Sequence, residues 1–116
     1  MTAARLRLGA VGEDRAAAWY RSHGYEVVAR NWRCKEGEID LVCVQGRTLV
    51  ICEVKTRSSL RYGHPAEAVT PAKQQRLRTL ALRWLADADP RPRPAAMRFD
   101  VAAVLPDRID IIHAAF

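Results

Sequence analysis

The apolar positions of this chain change rhythm as it runs. From about Gly9 to His23, Ala10, Glu13, Ala17 and Tyr20 recur at helical spacing, and Gly24 stands where a helix end favours a left-handed residue. Tyr25 to Arg33, YEVVARNWR, carries the β-branched and aromatic residues of a strand, and Lys35-Glu36-Gly37 reads as a tight turn after it. The stretch from Glu36 to Lys55, EGEIDLVCVQGRTLVICEVK, holds two Val- and Ile-rich runs broken at Gln45-Gly46-Arg47, the pattern of a hairpin. Thr70-Pro71 then supplies an N-cap and a first-turn proline, followed by an apolar stripe of Leu77, Leu80, Ala81, Trp84, Leu85 and Ala88. The segment DPRPRP excludes helix and favours an extended connector. Met97 to Leu105 reads as a strand and Ile109 to His113 as a final edge strand. Residues 1–8 are short, basic and expected to fray. The predicted order is helix, three strands, helix, strand, strand. That order gives an α/β domain spanning residues 1–116, with helices on the faces of a mixed central sheet.

The hairpin register predicts which side chains meet. A two-residue Gly46-Arg47 loop of type II′ pairs Gln45 with Thr48. Counting down the ladder puts Asp40 opposite Glu53 and Glu38 opposite Lys55. One face then carries Glu38, Asp40, Val42 and Val44 beside Leu49, Ile51, Glu53 and Lys55. The other, wholly apolar, carries Ile39, Leu41 and Cys43 beside Val50, Cys52 and Val54.

Opposed like charges destabilise a sheet. Two carboxylates at roughly 5 Å between Cβ atoms call for a proton or a cation between them. Mg²⁺ accepts one or two carboxylates and leaves its other positions to water and substrate phosphates. Lys55 points to the same side and is placed to balance charge on a phosphoryl group or to orient water. The same residues also admit a purely structural reading, in which Lys55 pairs with Glu38. Glu13 is charged on the inward stripe of a small-residue helix, which calls for a partner; the simpler alternative is an ordinary pairing at the stripe's edge with an arginine.

Composition bears on the partner. Nineteen Lys and Arg against 13 Asp and Glu give the 116-residue chain a formal charge of +6, which favours a polyanion. Hydrophobic content of 49% marks a folded domain. The segment TRSSLRYGHPAEAVT leaves directly from Lys55 and holds Arg57, Arg61, Tyr62 and His64, candidates for a phosphate clamp; His64 is more simply a turn residue. Lys73, one turn before Leu77, is expected to point toward the same end of the sheet, whereas Arg76 and Arg83 are expected in solvent on a basic face, with a phosphate-backbone contact as the alternative for each. Trp32 is placed either to stack on a base or to cap the core. Asp100 shares a face with Arg98 and Ala102, where it would neutralise a cation or support the site. Cys34, Cys43 and Cys52 form no C-x-x-C pair and read as small hydrophobes in a reducing cytoplasm. No apolar run reaches membrane-spanning length.

An Asp, a turn, and Glu-x-Lys on the next strand resemble the active-site pattern of the PD-(D/E)XK nuclease superfamily. More narrowly, GEIDLV followed by CEVKTR, with GAVGEDRAAAWYRSHGYEVVARNWR before and PAKQQRLRTLALRWL after, resembles the YraN-like family of uncharacterised bacterial proteins. That family is in turn similar to archaeal Holliday-junction resolvases. The match runs from about Gly9 to Leu105. It implies a restriction-endonuclease-like αβββαβ core and a Mg²⁺- or Mn²⁺-dependent endonuclease acting on DNA, including branched DNA. It further implies that Asp40, Glu53, the Val54 carbonyl and Glu13 bind metal, that Lys55 acts in catalysis, and that a homodimer would suit a two-strand cleaver. Arg57, Arg61, Lys73 and Trp32 are the candidate DNA contacts. The alternative is a basic nucleic-acid-binding module with the same fold and no catalysis.

Overall fold

The computed structural model describes residues 3–61, 63–90 and 93–116; Tyr62 and the Arg91-Pro92 part of the DPRPRP connector lie outside them, as do the first two residues. The elements are α1 (Ala3–Ser22), β1 (Glu26–Cys34), β2 (Gly37–Gln45), β3 (Thr48–Thr56), a short 3-10 helix (Pro65–Ala68), α2 (Pro71–Asp87), β4 (Ala96–Leu105) and β5 (Arg108–Ile112). The strands lie side by side in chain order. β1–β2, β2–β3 and β4–β5 are antiparallel, whereas β3–β4 is parallel and is joined through α2. This is the expected mixed sheet and αβββαβ order, with β5 added.

The two helices cover opposite faces of the sheet. On the α1 side, Ala16, Ala17 and Tyr20 pack against Leu41, Cys43, Val50, Cys52 and Ala102. On the α2 side, Leu77, Leu80 and Ala81 pack against Ile39, Val42, Leu49, Ile51 and Val101. The three cysteines are free, and Cys43 and Cys52 sit fully buried in the α1-side core.

Helix α1 begins at Ala3, ahead of the expected Gly9, because Ala, Leu and Arg are good helix formers. Its inward stripe includes Gly12 and Ala16, while Ala10 is exposed. A Cβ at Gly12 would overlap the Thr56 hydroxyl, so the missing side chain lets α1 lie close against the end of β3. The helix ends as expected: Gly24 has φ +85°, and the Tyr25 N–H donates to the Tyr20 carbonyl at 3.0 Å. In α2 the Thr70 hydroxyl accepts from the Lys73 N–H at 3.4 Å, with Pro71 in the first turn.

The hairpin register is as counted from the turn as far as Leu41–Cys52; the counted pairs Asp40–Glu53 and Glu38–Lys55 lie beyond the ladder. Gln45 pairs with Thr48, and the ladder runs through Val42–Ile51 to Leu41–Cys52. At the turn, Gly46 has φ +59° and Arg47 does not share the positive φ, as type II′ requires. One placement needs correction. Ile39 does not share the face of Leu41 and Cys43; it packs on the α2 side with Val42. Strict alternation fails at Asp40, beyond the last β2–β3 ladder pair. On the neighbouring strand, Asn31 takes a left-handed φ of +52°, and the β1–β2 register shifts between Val27 and Ala29. β1 and β2 therefore bend together where the acidic residues begin.

Candidate active site

The acids gather where that bend meets the open end of the β2–β3 hairpin. The Val54 N–H donates to Asp40 Oδ2 at 2.8 Å, so the Asp40 carboxyl occupies a backbone donor that would otherwise face its neighbour strand. Val54 thus meets Asp40 through its amide. Burial and the adjacent Glu53 carboxylate push the Asp40 carboxyl well above the ordinary carboxylate range, and the Val54 N–H only partly offsets them. Glu53 and Lys55, two residues apart on one face of β3, approach to 3.4 Å, with side chains 19% and 20% exposed. Lys55 therefore pairs with Glu53, not with Glu38; Glu38 has the exposed Arg33 as its partner, also at 3.4 Å.

Glu13 reaches the cluster from α1. Burial raises its carboxyl, and the charge of Glu38 adds to that; Arg30 and a hydrogen bond from Asn31 act in the opposite direction. Glu13 in turn contributes to the rise at Asp40. Its Oε1 is the one buried side-chain oxygen or nitrogen among the described residues that lacks a hydrogen-bond partner. Glu13 therefore lies beside the acids with one buried oxygen unpartnered. Among the described residues, however, no three Asp, Glu, His or Cys side chains converge as a metal-binding group. The donor set consists of two apposed carboxylates with a third carboxylate nearby. That set fits a hard divalent ion that takes one or two carboxylates and completes its shell with water and phosphate.

In front of Glu53 and Lys55 lies a cavity of about 190 Å³, lined also by Gly37, Glu38, Lys73, Arg76, Leu77 and Leu80. Lys73 comes to the mouth as its position on the α2 stripe suggested, and its Nζ donates to the Ala68 carbonyl at 3.3 Å. Arg76 is exposed, as expected, and lines the same cavity. The signal was present in the sequence: Arg76 is one turn beyond Lys73 and beside Leu77.

The other candidates lie apart from this opening. Trp32 packs against the α2-side core. The Arg57 guanidinium donates to the neighbouring Thr56 carbonyl at 2.9 Å and its N–H to the Val104 carbonyl at 3.0 Å. Arg61 is exposed, with its N–H donating to the Ser59 hydroxyl. His64 is a turn residue: Nδ1 accepts from the Ala66 N–H, capping the 3-10 helix, and Nε2 lies 2.9 Å from Asp110 Oδ2.

Asp100 does neutralise a cation, but away from the acid cluster. It is fully buried, with Arg98 donating to both oxygens at 2.8 and 2.9 Å, Tyr20 donating at 2.7 Å, His113 Nδ1 at 2.8 Å and the Ala114 N–H donating at 3.1 Å. Burial alone would raise this carboxyl; the four partners outweigh it and hold the group below its ordinary range.

Residues 12–104 match the model of a family described as Uncharacterised protein family UPF0102. A UPF0102 protein of Beutenbergia cavernae is 56% identical over 105 residues, covering 90% of this chain and 87% of its own. One from Frankia casuarinae is 49% identical over 119 residues, covering 97% and 98%. One from Bifidobacterium longum is 46% identical over 100 residues, covering 85% and 81%.

Proposed function

We propose that this chain, which belongs to the uncharacterised protein family UPF0102, is a metal-dependent endonuclease that hydrolyses phosphodiester bonds in DNA. The observation that carries the reading is the half-buried Asp40–Glu53 apposition, with Lys55 3.4 Å from Glu53 beside a cation-lined cavity. Apposed carboxylates are unfavourable without a counter-charge, and a divalent cation between the acids would supply it. Asp40 and Glu53 would hold Mg²⁺ or Mn²⁺, with the Glu13 carboxylate and the Val54 carbonyl as further oxygen donors. Bound there, the ion would polarise a phosphoryl oxygen and acidify a water.

The remaining chemistry falls to the chain's own groups. Lys55 balances the negative charge that builds on the phosphoryl oxygens, or orients the attacking water. The Val54 N–H fixes the Asp40 carboxyl. Lys73 draws the backbone to the opening, and the net +6 supports long-range attraction of a polyanion. Branched DNA as substrate, and a symmetric dimer presenting one site to each of two strands, belong to the same proposal. A cytoplasmic location belongs to the same proposal, and the free thiols support it.

A second reading rests on a specific observation: no three metal-ligating side chains converge among the described residues. On it, the chain binds nucleic acid through its basic groups and does not cut. Cleavage of labelled four-way-junction and linear duplex DNA by wild type and Asp40→Asn, with Mg²⁺, Mn²⁺ or EDTA, separates the two. The nuclease predicts metal-dependent cutting that falls at least about a hundredfold in the variant. Salt-sensitive binding without cutting in any condition selects the binding module.

A further inference from the structure

We infer that Arg76 is a phosphate-binding residue, and that the nucleic-acid backbone crosses the site along α2, through Lys73 and Arg76, instead of along the Arg57–Arg61 loop. The inference rests on the nuclease reading of this opening and names the path of its substrate.

Three observations point the same way. First, Arg76 and Lys73 line the cavity that Glu53 and Lys55 also line, so a phosphate seated before Lys55 brings its neighbours within their reach. Second, the Arg76 guanidinium is exposed and has no hydrogen bond or ion pair among the described residues. The other arginines near this end are engaged: Arg83 with Glu36 and Asp87, Arg33 with Glu38, Arg30 with Asp14, and Arg57 with the Thr56 carbonyl. A guanidinium left open beside acids, and not paired with any of them, is available for bidentate contact with a phosphate.

Third, the backbone makes room for it. Gly37, at the start of β2, has φ +147°. A Cβ there would lie 3.6 Å from the Arg76 Cδ and 3.3 Å from a Leu80 methyl. The bare Gly37 backbone lets the Arg76 stem lie over the strand end, above the apolar floor of Leu77 and Leu80. Lys73 and Arg76 are three residues apart and so share one face of the helix. Both line the cavity together with Lys55, Glu38 and Glu53, so cations and carboxylates share one opening, which suits a metal and a phosphodiester backbone side by side.

The test measures binding of labelled duplex DNA in EDTA across a salt series, where no cleavage occurs, for wild type, Arg76→Ala, Arg76→Lys, Arg57→Ala and Arg83→Ala. Arg76→Ala is expected to weaken binding several-fold at low salt. It should also flatten the log–log salt slope by about 0.9, the value of one phosphate contact on B-form DNA. Arg76→Lys should restore the slope but not the full affinity, and the other two should track wild type. In the cleavage assay, Arg76→Ala should raise KM with kcat preserved. A wild-type slope in Arg76→Ala, or a larger change in Arg57→Ala, overturns the assigned path. Because binding is read without metal, this outcome is distinct from failure of the nuclease reading, which shows as wild type that binds with a steep salt slope and never cuts.

Discussion

Asp40 and Asp100 are both aspartates placed inward on strands of one sheet, and they meet opposite treatment. Asp100, at 0% exposure, is surrounded by donors: a guanidinium, a phenol, an imidazole and a backbone N–H. Asp40 receives one backbone N–H and has carboxylates for neighbours. The first is held below its ordinary range and the second well above it. The difference separates two uses of an inward charge. Asp100 is compensated within the chain, so it fastens α1, β4 and the residues after β5 together. Asp40 is not compensated within the chain, and its balance has to come from a proton or from a cation outside it.

The largest expected effect tests the compensated side. Asp100→Asn leaves Arg98 without its counter-charge and should lower stability by about 3 kcal/mol, read by urea unfolding. Asp40→Asn, measured alongside without metal, should not cost stability; a loss as large as that of Asp100→Asn would break the contrast. The next effect sharpens the uncompensated side. At a hundredfold excess of Mg²⁺ over its Kd, wild type should gain about 2.7 kcal/mol and its thermal midpoint should rise, while Asp40→Asn stays flat.

The pH dependence divides along the same line. Asp40 has a folded pKa above its ordinary 3.8, so its burden on folding is absent at lower pH. The burden grows as pH rises through that value and is complete above the folded pKa. Asp100 has a folded pKa below 3.8; its stabilisation is present above that value and is lost as pH falls through the folded one. Urea midpoints across pH in EDTA should therefore lose their decline on the neutral side in Asp40→Asn. The gain is about 1.4 kcal/mol for every tenfold by which folding had tightened the hold of Asp40 on its proton. Asp100→Asn should instead lose part of the acid-side fall. The smallest effect belongs to the rim. Arg33→Ala breaks an exposed pair with Glu38 and should change stability by no more than about 0.5 kcal/mol in the same assay.

Most of the architecture was legible because its signals are local. Gly46 announced the turn, Thr70-Pro71 the start of α2, and Gly24 the end of α1. Once the turn was placed, pairing arithmetic brought Asp40 beside Glu53 without any tertiary information. What escaped depended on departures from regular geometry or on distant partners. Ile39 changed face because the strand bends at Asp40, and no propensity scale reports the left-handed Asn31 opposite that bend. Arg76 is exposed, as expected, but helical spacing does not say how close β2 comes to α2; the bare Gly37 backbone beside the Arg76 stem decides that. The five hydrogen bonds to Asp100 come from Arg98, Tyr20, His113 and Ala114. Only Arg98 is near it in sequence, so burial there could be read and satisfaction could not.

The parallel pairing of β3 against β4 has a consequence for the order in which the chain assembles. β1, β2 and β3 are joined by short turns and can zip from their own ends, bringing Asp40 and Glu53 together early. β3 and β4 can pair only after the whole crossover through α2 has closed, an entropic cost met before any pairing returns it. The repelling acids are thus brought together by the quick, local half of the molecule, and the bonds to Asp100 that lock it arrive with the slow half. By loop closure alone, then, bringing the acids together costs less than forming the clasp that holds the sheet.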